Sequence, residues 1–278
     1  MTRLKIVIGS LQKMTSELQQ PVQYQLPTGD QLLPINPLIG KTVEIHYTGQ
    51  IFCIHCQSKT RKSYNQGYCY PCFIKLAQCD MCIMKPETCH YAAGTCREPE
   101  WGDKFCNQTH IVYLANSSGL KVGITRQTQI PTRWIDQGAV QALPILQATS
   151  RHISGLAETV LAQHVSDKTS WQQMLKQKPA ALDLPSWRDL LLQQTAPELA
   201  EIRANHGADC LQPLALETVE ICYPIESYPK KIKSLDLEKT PTISGVLQGI
   251  KGQYLLLDNG VINIRKYTGY EISFQAEP

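Results

Sequence analysis

Nine of the chain's eleven cysteines fall between Cys53 and Cys106, and the first four are spaced Cys53-x2-Cys56-x12-Cys69-x2-Cys72. Two thiolate pairs on tight knuckles, separated by a short loop, can converge as a tetrahedron around Zn²⁺. Such a site is folding energy: structural zinc contributes roughly 10–16 kcal/mol in small peptides at neutral pH. A segment poor in apolar mass can therefore still be rigid. Cys53, Cys56, Cys69 and Cys72 are the expected ligands of a structural zinc.

A second group follows as Cys79-x2-Cys82-x6-Cys89-His90-x5-Cys96-x9-Cys106, with His110 four residues on. It offers more ligands than one tetrahedral ion uses. The spacing favours a second zinc with Cys79 and Cys82 as one pair and Cys96 and Cys106 as the other. Cys89, His90 and His110 stand as substitutes. Four thiolates in a loop-rich segment also satisfy an iron–sulfur cluster, and spacing does not separate the two. Cys210 and Cys222 lie far from these groups and read as buried packing thiols.

The chain has 278 residues, 42% apolar and 18% charged, with a net charge of +3. That is enough for about two domains and argues against disorder. The N-terminus carries no secretory signal, and no run reaches membrane-span length. Clustered cysteine pairs without export signals favour metal over disulfides. The sequence therefore predicts a cytoplasmic protein without a membrane span.

Charge is unevenly placed. The loop between Cys56 and Cys69 carries Lys59, Arg61 and Lys62, no acid, and Tyr64 and Tyr68. Basic residues interleaved with aromatics suit phosphate contacts and base stacking. A solvated basic loop on a zinc ribbon would look the same. Lys251-Gly-Gln-Tyr254, Arg265-Lys-Tyr267 and Tyr270 repeat the pattern near the C-terminus. They read as a nucleic-acid face or as a solvated β surface.

Periodicity divides the chain into five parts. Residues 1–52 are β-rich: a strand at Lys5-Ile-Val-Ile, a hairpin around Pro27-Thr-Gly-Asp30, and Thr42-Val-Glu-Ile-His-Tyr turning at Thr48-Gly49. Residues 53–108 are the metal-binding module. Residues 109–178 read strand, strand, helix, strand, helix, helix, with Asn116-Ser-Ser-Gly119 as a hairpin turn. Ser154 and Asp167 are the expected caps of the last two helices, and His164 falls on the apolar stripe of the first. Residues 179–212 are helical. Residues 213–278 are β-rich, with strands at Thr218–Tyr223, Ile243–Leu247, Tyr254–Leu257 and Val261–Ile264 and a turn at Asp258-Asn-Gly260. The two β-rich ends are expected to share one small barrel, giving an α+β fold with the middle inserted.

Within 109–178, Ile111-Val-Tyr113, Lys121-Val-Gly123-Ile-Thr, Arg133 and Glu158 resemble the GIY-YIG nuclease superfamily. The Lys-Val-Gly-Ile-Thr form resembles its phage-associated branch, where Lys often replaces the second Tyr. The resemblance implies a three-stranded antiparallel sheet with helices. It also implies a metal-dependent endonuclease acting on DNA or RNA. Glu158 would hold Mg²⁺ or Mn²⁺, Arg133 would fork onto phosphate, and Tyr113 would orient or deprotonate water. Lys121 or Arg126 would add a second cation. Ile111 stands for the first Gly of the motif, Lys121 for the second Tyr, and Gln137 where many active members carry His. Those departures favour the other reading, a non-catalytic zinc-dependent DNA- or RNA-binding protein on a degenerate nuclease fold. The whole chain also resembles a bacterial family defined only as a domain of unknown function. Gly67-Tyr-Cys-Tyr-Pro-Cys72, Gly94-Thr-Cys-Arg-Glu-Pro99, Arg133-Trp-Ile-Asp-Gln-Gly-Ala139 and Gly249-Ile-Lys-Gly-Gln-Tyr254 carry that likeness. It implies no activity.

Overall fold

The structure, a computed structural model, describes residues 6–165 and 170–277. It is an α+β fold built on antiparallel sheets. The N-terminal part supplies strands β1 (Val7–Ser10), β2 (Thr15–Glu17), β3 (Gln23–Thr28), β4 (Gln31–Pro34) and β5 (Thr42–Phe52). The cysteine-rich segment has only β6 (Lys59–Thr60) and the helices α1 (Tyr70–Lys75) and α2 (Pro99–Phe105), joined by single-turn helices. The middle runs β7 (His110–Asn116), β8 (Leu120–Arg126), α3 (Thr132–Asp136), β9 (Gln141–Ala148), α4 (Arg151–Ala162) and α5 (Trp171–Lys176). Then come α6 (Leu184–Gln194), α7 (Ala196–His206), β10 (Leu211–Pro213) and β11 (Val219–Glu220). The chain finishes with β12 (Thr242–Lys251), β13 (Tyr254–Leu257), β14 (Gly260–Asn263) and β15 (Tyr270–Ala276).

The largest sheet runs β1-β15-β5-β12-β13-β14, with β6 added to β5, so it draws strands from both ends of the chain. Its path is open; among the described residues no pairing joins β1 to β14, and the expected closed barrel is absent. Thr42 to Tyr47 alternates as read, but the strand continues past Thr48-Gly49 to Phe52. Gly49, at φ +85°, sits where the β5–β15 register shifts, so the expected turn is a bulge in one long strand.

The middle sheet runs β10-β9-β7-β8, with β11 also on β9. β7 lies between β8 and β9 and buries every residue. Its alternate side chains enter two cores. Ile111, Tyr113 and Ala115 join the core that also contains Trp134 and Ile135 of α3 and the large sheet. Val112 and Leu114 join the core made with β9, α4, α6 and α7. A strand covered on both faces is apolar at nearly every position, and that burial fixes which way Tyr113 points.

Several local expectations shift. The helix expected at Ser154 begins a turn earlier: Ser150 is the cap and accepts from the Ile153 N–H, while the Ser154 hydroxyl donates to the Arg151 carbonyl. α4 ends at Ala162, so His164 lies beyond the helix and is exposed. Asp167, expected to cap α5, falls outside the described residues. The strand read over Thr218–Tyr223 shrinks to Val219–Glu220. Lys251, Tyr267 and Tyr270 are buried rather than forming a surface. The Lys251 ammonium donates to the Met174 carbonyl at 2.8 Å, and burial lowers its pKa to about 8. Cys210 is buried as expected, but Cys222 is exposed. Among the described residues no helix is long and apolar enough to cross a membrane.

Candidate functional site

The Cys53–Cys72 segment folds so that four sulfurs meet. Those of Cys53, Cys56, Cys69 and Cys72 lie within 4.8 Å of one another, and Cys56 and Cys69 are 3.7 Å apart. A tetrahedron with metal–sulfur bonds of about 2.3 Å has edges of about 3.8 Å. The group can hold a metal ion such as zinc. Local backbone prepares the thiolates. Hydrogen bonds from the Ser58 hydroxyl and then its N–H hold the Cys56 thiol down, at about 6. Burial pushes Cys53 up, but N–H donors from Cys56, Cys69 and His55 outweigh it, so its pKa is lowered. Lys59, Arg61 and Lys62 are exposed on the loop between the pairs, with the Lys62 ammonium 5.2 Å from the Tyr64 ring centroid.

The second cysteine group departs from the pairing expected for it. Cys79 is buried, with Asn65 and Cys53 of the first group and Arg97 and Glu98 of the second segment among its electrostatic neighbours. Cys82, Cys96 and Cys106 instead share a small cavity with Cys89. The expected set of Cys79, Cys82, Cys96 and Cys106 does not gather as a tetrahedral group. The two cysteines fall in separate single-turn helices, Ala77–Cys79 and Met81–Ile83, with Asp80 in extended backbone between them. Asp80, Cys82 and His90 also approach within 4.8 Å. Asp80 is already ion-paired with Arg97 at 2.6 Å, and His90 Nδ1 is hydrogen-bonded to the Thr95 hydroxyl at 2.8 Å.

Below the module lies an open cleft of about 390 Å³. Lys13, Arg126, Arg133, Arg151 and Arg265 line it against two carboxylates, Asp136 and Glu158. Asp136 is largely spent: Lys13 pairs with it at 2.8 Å and Gln253 donates to it at 2.8 Å. The intrahelical Arg133–Asp136 pair that sequence spacing allows is not among its contacts. The cleft is thus net basic. A wider groove shares Lys13, Ile83, Met84, Arg133 and Arg265 with it and continues along the Cys53–Cys72 module past Ile54 and Asn65.

Arg133 and Glu158 line this cleft, and both act on the ionisation of Tyr113, which lies buried behind it. Tyr113 is fully buried under Gly123, where a Cβ would stand 2.8 Å from the tyrosine hydroxyl; glycine is needed there to let the ring in. The Tyr113 hydroxyl donates to Gln137 Oε1 at 2.8 Å. Burial pushes its pKa up to about 12 although the Arg133 guanidinium pulls the other way. Burial also raises Glu158, against the pull of Arg133, Arg151 and Lys121, and Glu87 adds a like charge. Glu158 sits in the second half of α4, so it is no first-turn acid of that helix. Lys121 lines an adjoining pocket with Gln137, and Lys59, Arg61 and Lys62 do not line the cleft.

Arg151, Lys13 and Glu87 were not singled out from sequence, whereas Arg265 belongs to the basic and aromatic pattern near the C-terminus. Arg151 lies seven residues before Glu158, hence on the same face of α4, a signal that helical periodicity offers. Lys13 leaves no local signal, and Arg265 reaches the cleft from the other end of the sequence. α4 itself is seated by Gly155: a Cβ there would lie 2.6 Å from the Pro86 ring and 2.9 Å from the Glu87 nitrogen. Arg151 donates to the Ile83 carbonyl at 2.6 Å. The cysteine-rich segment thus packs directly on the helix that bears Glu158.

No curated protein and no solved structure matches the chain. Residues 40–272 match a family described as a protein of unknown function (DUF2797), which spans the module, the cleft apart from Lys13 and most of the large sheet, and the chain belongs to that family.

Proposed function

We propose that this protein is a metal-dependent phosphodiesterase of GIY-YIG type, acting on DNA or RNA, with zinc in the Cys53–Cys72 ribbon. The observation that carries the reading is the meeting of Arg133, Glu158 and Gln137 in a basic cleft, with Tyr113 buried behind it and bonded to Gln137. Arginines fork onto phosphate oxygens and compensate the charge that builds up during displacement. Arg133 fills that role, while Lys13, Arg126 and Arg265 gather the backbone on either side. A Mg²⁺ site needs only one or two carboxylates, leaving the rest to water and substrate phosphates. Glu158, with the Glu87 carboxylate acting on it, fits that donor set. The bound ion would supply Lewis-acid stabilisation. Tyr113, kept protonated, serves as a clamp on the Gln137 amide, and Gln137 reaches the cleft where an attacking water would be oriented.

The test is incubation of the purified protein with Mg²⁺ or Mn²⁺ and mixed DNA and RNA, beside Glu158→Ala. Cleavage should fall by at least about 100-fold in the variant. Cleavage that survives Glu158→Ala, or none with either ion, sinks the enzyme.

A second reading is non-catalytic nucleic-acid binding. It is favoured by the same Tyr113–Gln137 bond, which occupies the hydroxyl a general base would need and offers no titratable partner. Tight binding that weakens steeply with salt, without cleavage, selects it.

A further inference from the structure

A second cavity opens beside the basic cleft. Its volume is about 250 Å³, and it shares Asp136, Gln137 and Arg265 with the cleft. Three parts of the chain wall it. Ser118 and Lys121 come from the β7–β8 hairpin, Trp171 from α5, and Tyr254 and Asn263 from β13 and β14. The walls are held in place. The buried Lys251 ammonium ties α5 to the large sheet through the Met174 carbonyl. The Ser170 N–H, at the start of the same helix, donates to the Ser118 hydroxyl at 3.1 Å. Gly138, at φ +69°, makes way for α5, since a Cβ there would run into the Met174 sulfur.

The lining has two characters. One side is aromatic: the Trp171 and Tyr254 rings are parallel, 4° apart, with centroids at 5.7 Å. Trp171 keeps 39% of its surface exposed. The other side is polar. The Tyr113 hydroxyl takes the Gln137 oxygen, so Gln137 offers its amide N–H groups to a ligand. A nucleobase is the complement of such a lining, with a flat face that stacks on an aromatic ring and an edge of donors and acceptors. The volume falls just below the roughly 300–1,000 Å³ of pockets that enclose drug-sized molecules, which suits one base and no base pair. A base inside a duplex does not reach such a pocket until it is unpaired or turned out of the stack.

We propose that this pocket receives a single unpaired base of a DNA or RNA strand, stacked on Trp171, while the strand's phosphates lie in the cleft beside Arg133 and Arg265. The proposal rests on the reading of the cleft as a nucleic-acid site, and it names the substrate as a strand with an unpaired base rather than a plain duplex.

Binding of labelled oligonucleotides about a dozen nucleotides long to the full chain tests this, followed by fluorescence anisotropy without Mg²⁺ or Mn²⁺. A duplex with one unpaired nucleotide should bind at least about tenfold tighter than the fully paired duplex. Replacing that nucleotide by an abasic one should remove the gain, and so should Trp171→Ala. Trp187→Ala, on the exposed side of α6, should keep it. Equal affinity for the two duplexes overturns the proposal. So does a gain that survives loss of the base or of Trp171, a free nucleoside monophosphate that binds as tightly as the strand, or no binding at all. The abasic probe uses the unmodified protein and decides the matter even where Trp171→Ala does not fold. A preference for the unpaired base without cleavage sinks the enzyme and leaves the pocket. Glu158-dependent cleavage without that preference does the reverse.

Discussion

Between Cys53 and Cys106 the chain buries, apart from three cysteines and two glycines, only Leu76, Ala77 and Pro86. In β7, a few residues further on, every side chain is buried and the strand serves two cores at once. The first region is held by sulfur and hydrogen bonds, the second by hydrocarbon. They meet at Gly155 against Pro86 and at Arg151 against the Ile83 carbonyl. The contrast teaches that the cleft belongs to neither alone. Its acid stands on a helix seated in the hydrocarbon core, yet Ile83, Met84 and Pro86 of the module form part of its wall.

The contrast can be broken most forcefully by taking metal away. A chelator should unfold residues 53–108, a loss on the order of 10 kcal/mol for a zinc-dependent module. Hydrogen exchange should rise throughout that segment while amides of β7 and β9 stay protected. Continued protection in the module would mean that it does not depend on metal. The reciprocal change is Leu114→Ala, at a position with no exposure. It should cost about 2–5 kcal/mol in denaturant unfolding and leave the metal content of the protein intact.

His110 marks the seam between the regions and responds to pH. It is fully buried, its Nδ1 lies 2.7 Å from the Gln108 carbonyl, and burial lowers its pKa to about 4. The unfolded chain, titrating near 6.5, then binds the proton more readily than the folded one. Stability should be level above pH 6.5 and fall by about 2–3 kcal/mol as pH drops from there toward 4. Unfolding curves of His110→Asn should lack that slope; a slope unchanged in the variant would assign it elsewhere.

Smaller effects sharpen the contact itself. Gly155→Ala should cost about 1–3 kcal/mol by overpacking against Pro86, and it should lower nucleic-acid affinity by tilting α4. A variant as stable as the parent would show that the module can yield. Lys13→Ala, which removes a half-exposed partner of Asp136, should cost about 0.5 kcal/mol in a thermal melt. Its clearer sign should be a salt dependence of nucleic-acid binding shallower by about one phosphate contact.

What was legible in the sequence was mostly local. Cys53 to Cys72 announce themselves because ligand spacing is a short-range property. The Asn116–Gly119 and Asp258–Gly260 turns do so because turn chemistry is equally short-range, and both join paired strands. Ser150 was missed because Ser154 stands before a cleaner apolar run, although Ser150 is the residue free to adopt extended backbone. The Lys251–Tyr270 stretch was misjudged because basic and aromatic residues look alike on a surface and in a core. The burial of Lys251, Tyr267 and Tyr270, with the Lys251 ammonium donating to the Met174 carbonyl, separates the two. A two-residue spacer paired Cys79 with Cys82, whereas in space Cys79 has Asn65 and Cys53 as well as Arg97 and Glu98 for neighbours. Lys13, Arg265 and Arg151 reach the cleft through tertiary packing, which no single segment encodes.

The large sheet sets an order of assembly. β5 is central in it, flanked by β12 and β15, with His46 opposite Ser273 on one side and Thr242 on the other. During synthesis β5 emerges well before β12 and β15, and until they follow only the two-residue β6 among the described strands is there to pair with it. The intervening cysteine turns and the β7–β8 hairpin need only nearby chain and can form in the meantime. Until β12 and β15 are made, β5, with Val43 and Ile45, presents unpaired edges that aggregation could exploit. A chain stalled before Thr242 would thus carry a finished metal module beside an unfinished sheet.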